Sequence, residues 1–142
     1  MNEQLIKRLL DGAYLVVDFL PRCVPEDSGG NFFEIEKFFL DPPYSAELRR
    51  KFLNIILKLN CYYDITAYDC LREHETASPS PQQLSDLIMA ADGLVYIFIS
   101  SEETLVSVDT DDTHMTVFSP TGRIRQLMEQ LAHSEGLFVW EP

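Results

Sequence analysis

Residues 94–119 read LVYIFISSEETLVSVDTDDTHMTVFS, and they contain three β-rich segments separated by two short polar turns. The predicted strands are Leu94–Ser100, Thr104–Val108 and Thr113–Ser119. Branched and aromatic residues favour extended structure, and connections this short join antiparallel neighbours. The stretch therefore predicts an antiparallel meander.

The strand Leu94–Ser100 is apolar on both of its faces, whereas a half-exposed strand alternates apolar with polar residues. We expect it to be central in its sheet, with both faces covered, or to lie in a subunit interface. In the second case the chain forms a homodimer with a structural role.

The segments on either side complete a single α+β domain over residues 1–142. Apolar stripes at helical spacing predict helices at Asn2–Leu10, from Ser45 to about Asn60, after the capping box formed by Ser80 and Gln83, and from Ser119 to Gly136. Further strands are predicted at Ala13–Leu20, Phe32–Leu40, Cys61–Leu71 and Leu137–Trp140, with a polar loop at Arg72–Pro79. Because hairpins outnumber crossovers, we expect a mainly antiparallel sheet of about five to seven strands with about four helices packed on it.

Charge is distributed unevenly along the chain. Residues 73–142 hold twelve acids and two bases, whereas residues 1–72 hold eleven acids and nine bases, for a net charge of −12. A one-sided negative field repels nucleic acid and anionic membranes, and it attracts basic partners or cations. We therefore expect a basic protein partner, or self-association through the basic residues around Arg50, and neither nucleic acid nor membrane.

The compartment is indicated by the cysteines and by the first residues. The chain has three cysteines, an odd number, and its first ten residues include Glu3, Lys7 and Arg8 in place of an apolar signal core. No apolar run approaches the roughly 20 residues that span a bilayer. These features predict a cytoplasmic protein with reduced thiols.

The turns of the meander supply the acidic candidate site. Glu102 and Glu103 lie in the first turn, and Asp109, Asp111 and Asp112 lie in the second. Three aspartates in four residues could bind a hard cation, but the second turn lacks the Gly and Glu of a calcium loop. Aspartate is also a common turn residue, so we predict a solvated acidic surface without a metal or cofactor.

A polar stripe supplies the alternative site. In the strand predicted after Cys61, alternation places Tyr62, Asp64 and Tyr68 on one face, and Asp18 interrupts an apolar face of the first strand. If both faces lie on one side of the sheet, these residues and His114 would line a cleft in which one carboxyl has a raised pKa. Exposed tyrosines on a polar sheet face are the interpretation that we favour.

No catalytic motif accompanies these candidates, since the chain has neither a nucleophile elbow nor a phosphate-binding glycine pattern. The leading hypothesis is a non-enzymatic interaction module that binds a basic partner through its acidic C-terminal half. The alternative is an enzyme or small-ligand-binding domain that uses the carboxylate–tyrosine cleft, with or without a divalent metal. In size, acid excess and α+β pattern the chain is similar to small bacterial immunity and antitoxin proteins. That resemblance, which covers no motif, implies an inhibitor of a basic nuclease as one instance of the leading hypothesis.

Overall fold

A computed structural model describes residues 2–90 and 92–142. In these two ranges the chain forms five α-helices and seven β-strands. The helices are α1 (Glu3–Leu10), α2 (Asn31–Leu40), α3 (Tyr44–Asn60), α4 (Pro81–Met89) and α5 (Gly122–Ser134). The strands are β1 (Tyr14–Asp18), β2 (Thr66–Asp69), β3 (His74–Ala77), β4 (Leu94–Ile99), β5 (Thr104–Asp109), β6 (His114–Phe118) and β7 (Phe138–Trp140).

The strands form one antiparallel sheet in the order β3-β2-β4-β5-β6-β1-β7. The predicted α+β class and the mainly antiparallel sheet are confirmed. The meander of β4, β5 and β6 lies at the centre of the sheet, as its short turns require. The early strand β1 pairs with β6, and the last strand, β7, closes that edge beside β1.

Helices cover both faces of the sheet. On one face α3, α4 and α5 enclose the main core, in which Phe52, Ile97 and Met128 are almost fully buried. On the other face Ile6 and Leu9 of α1 form a smaller cluster, against which the aromatic residues of β4 pack. Both sides of β4 are therefore covered, which explains why this strand lacks a polar face.

The segment Phe32–Leu40 was predicted to be a strand, and this prediction is wrong because residues 31–40 form α2. Its aromatic content favours a strand, but a short apolar run does not distinguish a strand from a helix. Phe32, Glu36 and Phe39 lie at helical spacing and are half-buried, and the ring of Phe39 is 4.9 Å from that of Phe19. Phe33, Ile35 and Phe38 of α2 remain exposed to solvent.

Two boundaries around β2 also differ from the sequence prediction. The strand predicted at Cys61–Leu71 is confined to β2, because residues 61–65 form a turn that closes α3 with hydrogen bonds to Leu59. The predicted loop Arg72–Pro79 contains β3, which is an edge strand. It was not predicted because its polar residues do not alternate with apolar ones. Charged, solvated edge strands of this kind avoid pairing with other chains.

The capping box predicted before α4 is confirmed by two hydrogen bonds. The Gln83 backbone N–H donates to Ser80 Oγ at 3.1 Å, and the Ser80 N–H donates to Gln83 Oε1 at 2.8 Å. Pro81 occupies the start of the helix, where its missing N–H costs nothing. Across the two described ranges, no helix combines the length and apolar character needed to cross a membrane.

Candidate functional site

The acidic residues of the meander lie at opposite ends of the sheet. Glu102 and Glu103 precede β5, whereas Asp109 ends it, and a strand of six residues separates the two turns by about 17 Å. Consecutive turns of a meander alternate between the ends of their strands, so the two groups cannot form one surface. The acidic region predicted from the sequence is therefore divided.

The first group is also matched by arginines. Glu102 Oε1 lies 3.4 Å from Arg123 Nε, and Glu103 Oε2 lies 3.1 Å from Arg8 Nη2. The second pair joins the two halves of the chain, the first lies within the C-terminal half, and both neutralise negative charge at this end. A basic partner would have to displace an arginine to reach either glutamate.

The second group gains a carboxylate from β1. The register pairs Asp18 with His114, the first residue of β6, so Asp18 lies at the same end as Asp109, Asp111 and Asp112. We call these four aspartates the acidic end. Across residues 2–90 and 92–142, no Lys or Arg forms an ion pair with any of them. The negative charge at this end is therefore available to a partner.

The turn that carries three of these aspartates is held by its own hydrogen bonds. Asp109 Oδ1 accepts from the Asp111 N–H at 3.0 Å, and the Gly93 N–H donates to Thr110 Oγ1 at 3.1 Å. Partial desolvation raises the pKa of Asp112, the charge of His114 opposes this rise, and the charges of Asp109 and Asp111 add to it. Within the described residues, no three His, Cys, Asp or Glu side chains lie in an arrangement that could hold a metal ion.

A cleft of about 350 Å³ opens beside the acidic end. Its floor is the outer face of β1, β6 and β7, with Asp18, His114 and Trp140, and its wall is the chain from Leu20 into the first turn of α2. Binding sites for small groups are commonly clefts of this size, mostly apolar with a few polar side chains. The sheet thus contributes a rigid polar floor and the preceding loop contributes an apolar wall.

Asp18 is the most unusual residue of the cleft, because it is a carboxylate with only 8% of its surface exposed. Its Oδ2 accepts a hydrogen bond from the indole N–H of Trp140 at 3.3 Å, but its Oδ1 is buried, and among residues 2–90 and 92–142 no donor makes a hydrogen bond of normal geometry to it. Burial raises the pKa of Asp18, opposed by the backbone N–H groups of Leu20 and Phe19, by Trp140 and by the charge of His114. A buried acceptor without a donor is costly, which is typical of functional sites.

An exposed apolar surface adjoins the cleft through Phe33. It consists of Phe33, Ile35 and Phe38 of α2 with Tyr44 of α3, and we call these residues the aromatic patch. Phe33 is 72% exposed and also lines the cleft, while the rings of Phe38 and Tyr44 stack at 4.3 Å. Large apolar side chains that are exposed in this number on two successive helices indicate an interaction surface.

The structure brings together only part of the cleft that the sequence predicts. Asp18 and His114 share it, but Tyr62 and Asp64 lie in the turn after α3, at the opposite end of the sheet. Tyr68 lies on β2, four strands away from β1 and therefore about 19 Å distant. The sequence argument assumed that two polar stripes would be neighbours, and the strand order separates them.

Several residues of the cleft were not anticipated from the sequence. Phe32, Phe33 and Glu36 were missed because α2 was predicted to be a strand, and Trp140 was placed in the last predicted strand without a link to the site. The signal that could have identified α2 is the helical spacing of Phe32, Glu36 and Phe39 after two glycines. The glycines precede the helix in a left-handed conformation, which suits a chain reversal.

The buried carboxylate gives a stability prediction with a defined pH dependence. We expect Asp18→Asn to raise the free energy of unfolding at pH 7 by about 1 kcal/mol, because it removes a buried charge. Since folding raises the pKa of Asp18 above its ordinary value of 3.8, its contribution favours the fold most below that pH and is lost as pH rises through the folded-state value. The gain from the substitution should therefore shrink as pH falls.

Urea unfolding followed by circular dichroism at several pH values measures this difference. Asp111→Asn is the matched control, because it removes the same charge from an exposed position and should change stability by less than about 0.5 kcal/mol. A variant Asp18→Asn that is less stable than the parent at pH 7 would show that the carboxylate stabilises the fold.

The geometry favours binding of a cation over acid–base chemistry. Among the described residues Asp18 presents an acceptor without a hydrogen-bond partner, and the carboxylates next to it lie in an exposed turn. The site therefore combines one buried carboxylate with several exposed ones. A paired acid and base would need a second titratable group in hydrogen-bond contact, and among the described residues the side chain that hydrogen-bonds to Asp18 is that of Trp140, which does not titrate. Comparison with known proteins found no matching family model, no matching curated protein and no matching solved structure.

Proposed function

We propose that this chain is a non-enzymatic interaction module that binds a basic segment of a partner protein at the acidic end of its sheet. One observation supports this most strongly: the cleft that contains Asp18 is lined both by Thr113 and His114, which follow the acidic turn, and by the exposed Phe33 of the aromatic patch. A segment bound in the cleft would therefore lie near the carboxylates of the acidic end and would contact an exposed phenylalanine. The partner that fits is therefore both basic and apolar.

The two surfaces would have different roles in binding. Unpaired carboxylates speed the encounter with a basic partner and select against acidic ones, whereas their exposed pairs add little affinity each. Buried aromatic anchors supply most of the affinity in protein interfaces. We infer that the acidic end guides the partner and that the aromatic patch holds it.

The proposal differs from the sequence-based hypothesis in the residues that carry it. Glu102 and Glu103 have arginine partners at the other end of the sheet, and β4 is covered by helices on both faces. Of the acidic residues in that hypothesis, Asp109, Asp111 and Asp112 remain part of the proposed binding surface. Asp18 and His114, which the sequence analysis assigned to the alternative cleft, are added to it. An inhibitor of a basic protein, as in bacterial immunity and antitoxin systems, is one instance of such a module.

Three labelled peptides of equal length test the proposal by fluorescence anisotropy. One alternates lysine with phenylalanine, one alternates lysine with serine, and one alternates glutamine with phenylalanine. We expect the first to bind most tightly, the second to bind weakly and to be released between about 0.05 M and about 0.5 M salt, and the third not to bind. Equal binding of the first two peptides would contradict a role for the aromatic patch.

A second copy of the chain is the other candidate occupant, because Arg50 and Lys58 of α3 are exposed. Sedimentation at low and high salt separates the two cases. A single monomeric species throughout is expected for a module that binds a foreign partner. A dimer that dissociates with salt would assign the acidic end to self-association and would overturn the proposal.

A further inference from the structure

We infer that the cleft beside Asp18 is a subsite for one alkylammonium or alkylguanidinium group, as carried by a lysine or arginine side chain. This inference rests on the proposed function and deepens it, because it names the group of the partner that is recognised and the atom that recognises it. The acidic turn acts on a partner at long range, whereas this subsite would take a single side chain in contact.

The charge of the cleft suits a cation. Three carboxylates line it, those of Asp18, Glu26 and Glu36, and in the described part of the chain no Lys or Arg does so. Asp18 lies on β1, Glu26 in the loop and Glu36 on α2. The other titratable groups that line the cavity in the described part of the chain are His114 on β6 and the Cys23 thiol in the loop. Opposite charge in a partly desolvated site is worth more than on an open surface.

Asp18 Oδ1 is the group that a cation would satisfy. The residue is more than nine-tenths buried, and Trp140 already occupies Oδ2. The backbone N–H groups of Phe19 and Leu20 lie close enough to the carboxylate to lower its pKa, but no donor in the described ranges makes a hydrogen bond of normal geometry to Oδ1. An ammonium or guanidinium N–H can donate to it, and charge-assisted hydrogen bonds are stronger than neutral ones. The indole contact also fixes the orientation of the carboxylate, so that Oδ1 is held in place before the cation arrives.

The apolar lining suits the methylene stem that carries such a group. Val16 and Leu20 lie beside Asp18 in the cleft, and the rings of Phe32, Phe33 and Trp140 surround the same space. Lysine and arginine stems pack against apolar surface, and a cation near an aromatic face gains a further attraction. A small inorganic cation would leave this apolar surface unused.

Access to the subsite runs past the loop of residues 21–30. Asp18 Oδ1 exposes almost no surface, so the groups that cover it must shift locally before a ligand can reach it. The loop contains Gly29 and Gly30 at φ values of 89° and 84°, and a Cβ built at either glycine would meet no described atom within 4 Å. At these two positions the loop backbone is therefore not packed against the rest of the protein.

The test uses simple cations and the fluorescence of Trp140, which is the single tryptophan of the chain. n-Butylammonium and n-propylguanidinium serve as probes, n-butanol is the uncharged comparison, and sodium chloride keeps the ionic strength equal. We expect a saturable change in emission with a dissociation constant on the order of millimolar for both cations, and none for the alcohol. The indole reports directly because it is bonded to the carboxylate that would bind the probe.

Two variants locate the effect. Asp18→Asn should weaken cation binding at least about tenfold, and Asp111→Asn, which removes a charge outside the cleft, should change it less than about twofold. Because Asp18→Asn alters the residue next to the reporter, its binding is also followed by the methylene resonances of n-butylammonium. The absence of saturation in the parent chain, or equal binding by Asp18→Asn, would overturn the subsite.

The same variants separate this inference from the proposed function. If the lysine–phenylalanine peptide binds the parent and Asp18→Asn equally while the simple cations do not bind, the subsite is overturned and the interaction module stands. If the cations bind through Asp18 and none of the peptides binds, the subsite stands for small amines and the interaction module is overturned.

Discussion

Replacing Phe33 by alanine should weaken binding of the lysine–phenylalanine peptide about thirtyfold, which corresponds to roughly 2 kcal/mol. Phe33 is 72% exposed, and it is the residue of the aromatic patch that also lines the cleft. A partner that occupies both surfaces must bury this ring, and truncation of a central aromatic anchor has effects of this size. The substitution should leave the fold intact, because the ring contacts the chain mainly through the edge of Phe32.

Tyr62→Ala is the matched control for this prediction. Tyr62 is also an exposed aromatic residue, at 68%, but it lies in the turn after α3 at the other end of the sheet. Its loss should change peptide affinity less than about twofold, as expected for a residue outside the interface. If both variants lost affinity equally, the peptide would be binding to exposed aromatic residues without regard to position.

The meander was predictable from sequence because local and global signals agree there. The residues of β4, β5 and β6 have high strand propensity, their turns are short, and the sheet centres on them. The absence of a polar face on β4 correctly indicated a covered strand. It did not indicate which helices cover it, since apolar side chains do not specify their partners.

The number of strands agrees with the prediction only because two errors cancel. Residues 32–40 were predicted to be a strand and form a helix, whereas residues 74–77 were predicted to be a loop and form β3. The aromatic residues of α2 led to the prediction of a strand. In the structure they lie on a helix, which packs on the loop after β1 through Phe39 and Phe19. β3 is stabilised by its pairing with β2, and the residue types of β3 do not indicate that pairing.

The candidate site was predictable only where strands are close in sequence. Asp18 and His114 were named from residue type, but their pairing depends on β1 joining β6, a contact between residues far apart in the chain. The cleft wall comes from α2 and could not be anticipated once that segment was taken as a strand. The acidic turn was recognised, and its separation from Glu102 and Glu103 follows from the alternation of turns along a meander.

Asp18 illustrates why such a site resists prediction. In the sequence, Asp18 is a single acidic residue within an apolar face of a strand. Acidic side chains at such positions are mostly exposed in folded proteins. Here the side chain is buried, half of its carboxylate is paired with Trp140, and the other half is unpaired. We expect this buried carboxylate to lower stability at neutral pH, and its position on the floor of a cleft is consistent with the proposed binding role.

The second large effect concerns the acidic turn. The double substitution Asp111→Asn and Asp112→Asn should weaken binding of the lysine–phenylalanine peptide about tenfold at low salt, since each charge contributes on the order of 0.7 kcal/mol. Both residues are exposed, and the turn is held by the Asp109 carboxylate and by Thr110, so its shape should persist. The loss should fall mainly on the association rate and should diminish as salt is raised.

The most direct measurement compares this variant with the double substitution Glu102→Gln and Glu103→Gln, which removes the same charge from the opposite end of β5. Peptide association is followed by stopped-flow anisotropy at low salt. Guidance by the acidic end predicts a slower association rate, by about tenfold, for the Asp111 and Asp112 variant, and a change of less than about twofold for the Glu102 and Glu103 variant. Equal slowing in both variants would mean that only the net charge of −12 attracts the peptide, and the acidic end would lose its assigned role.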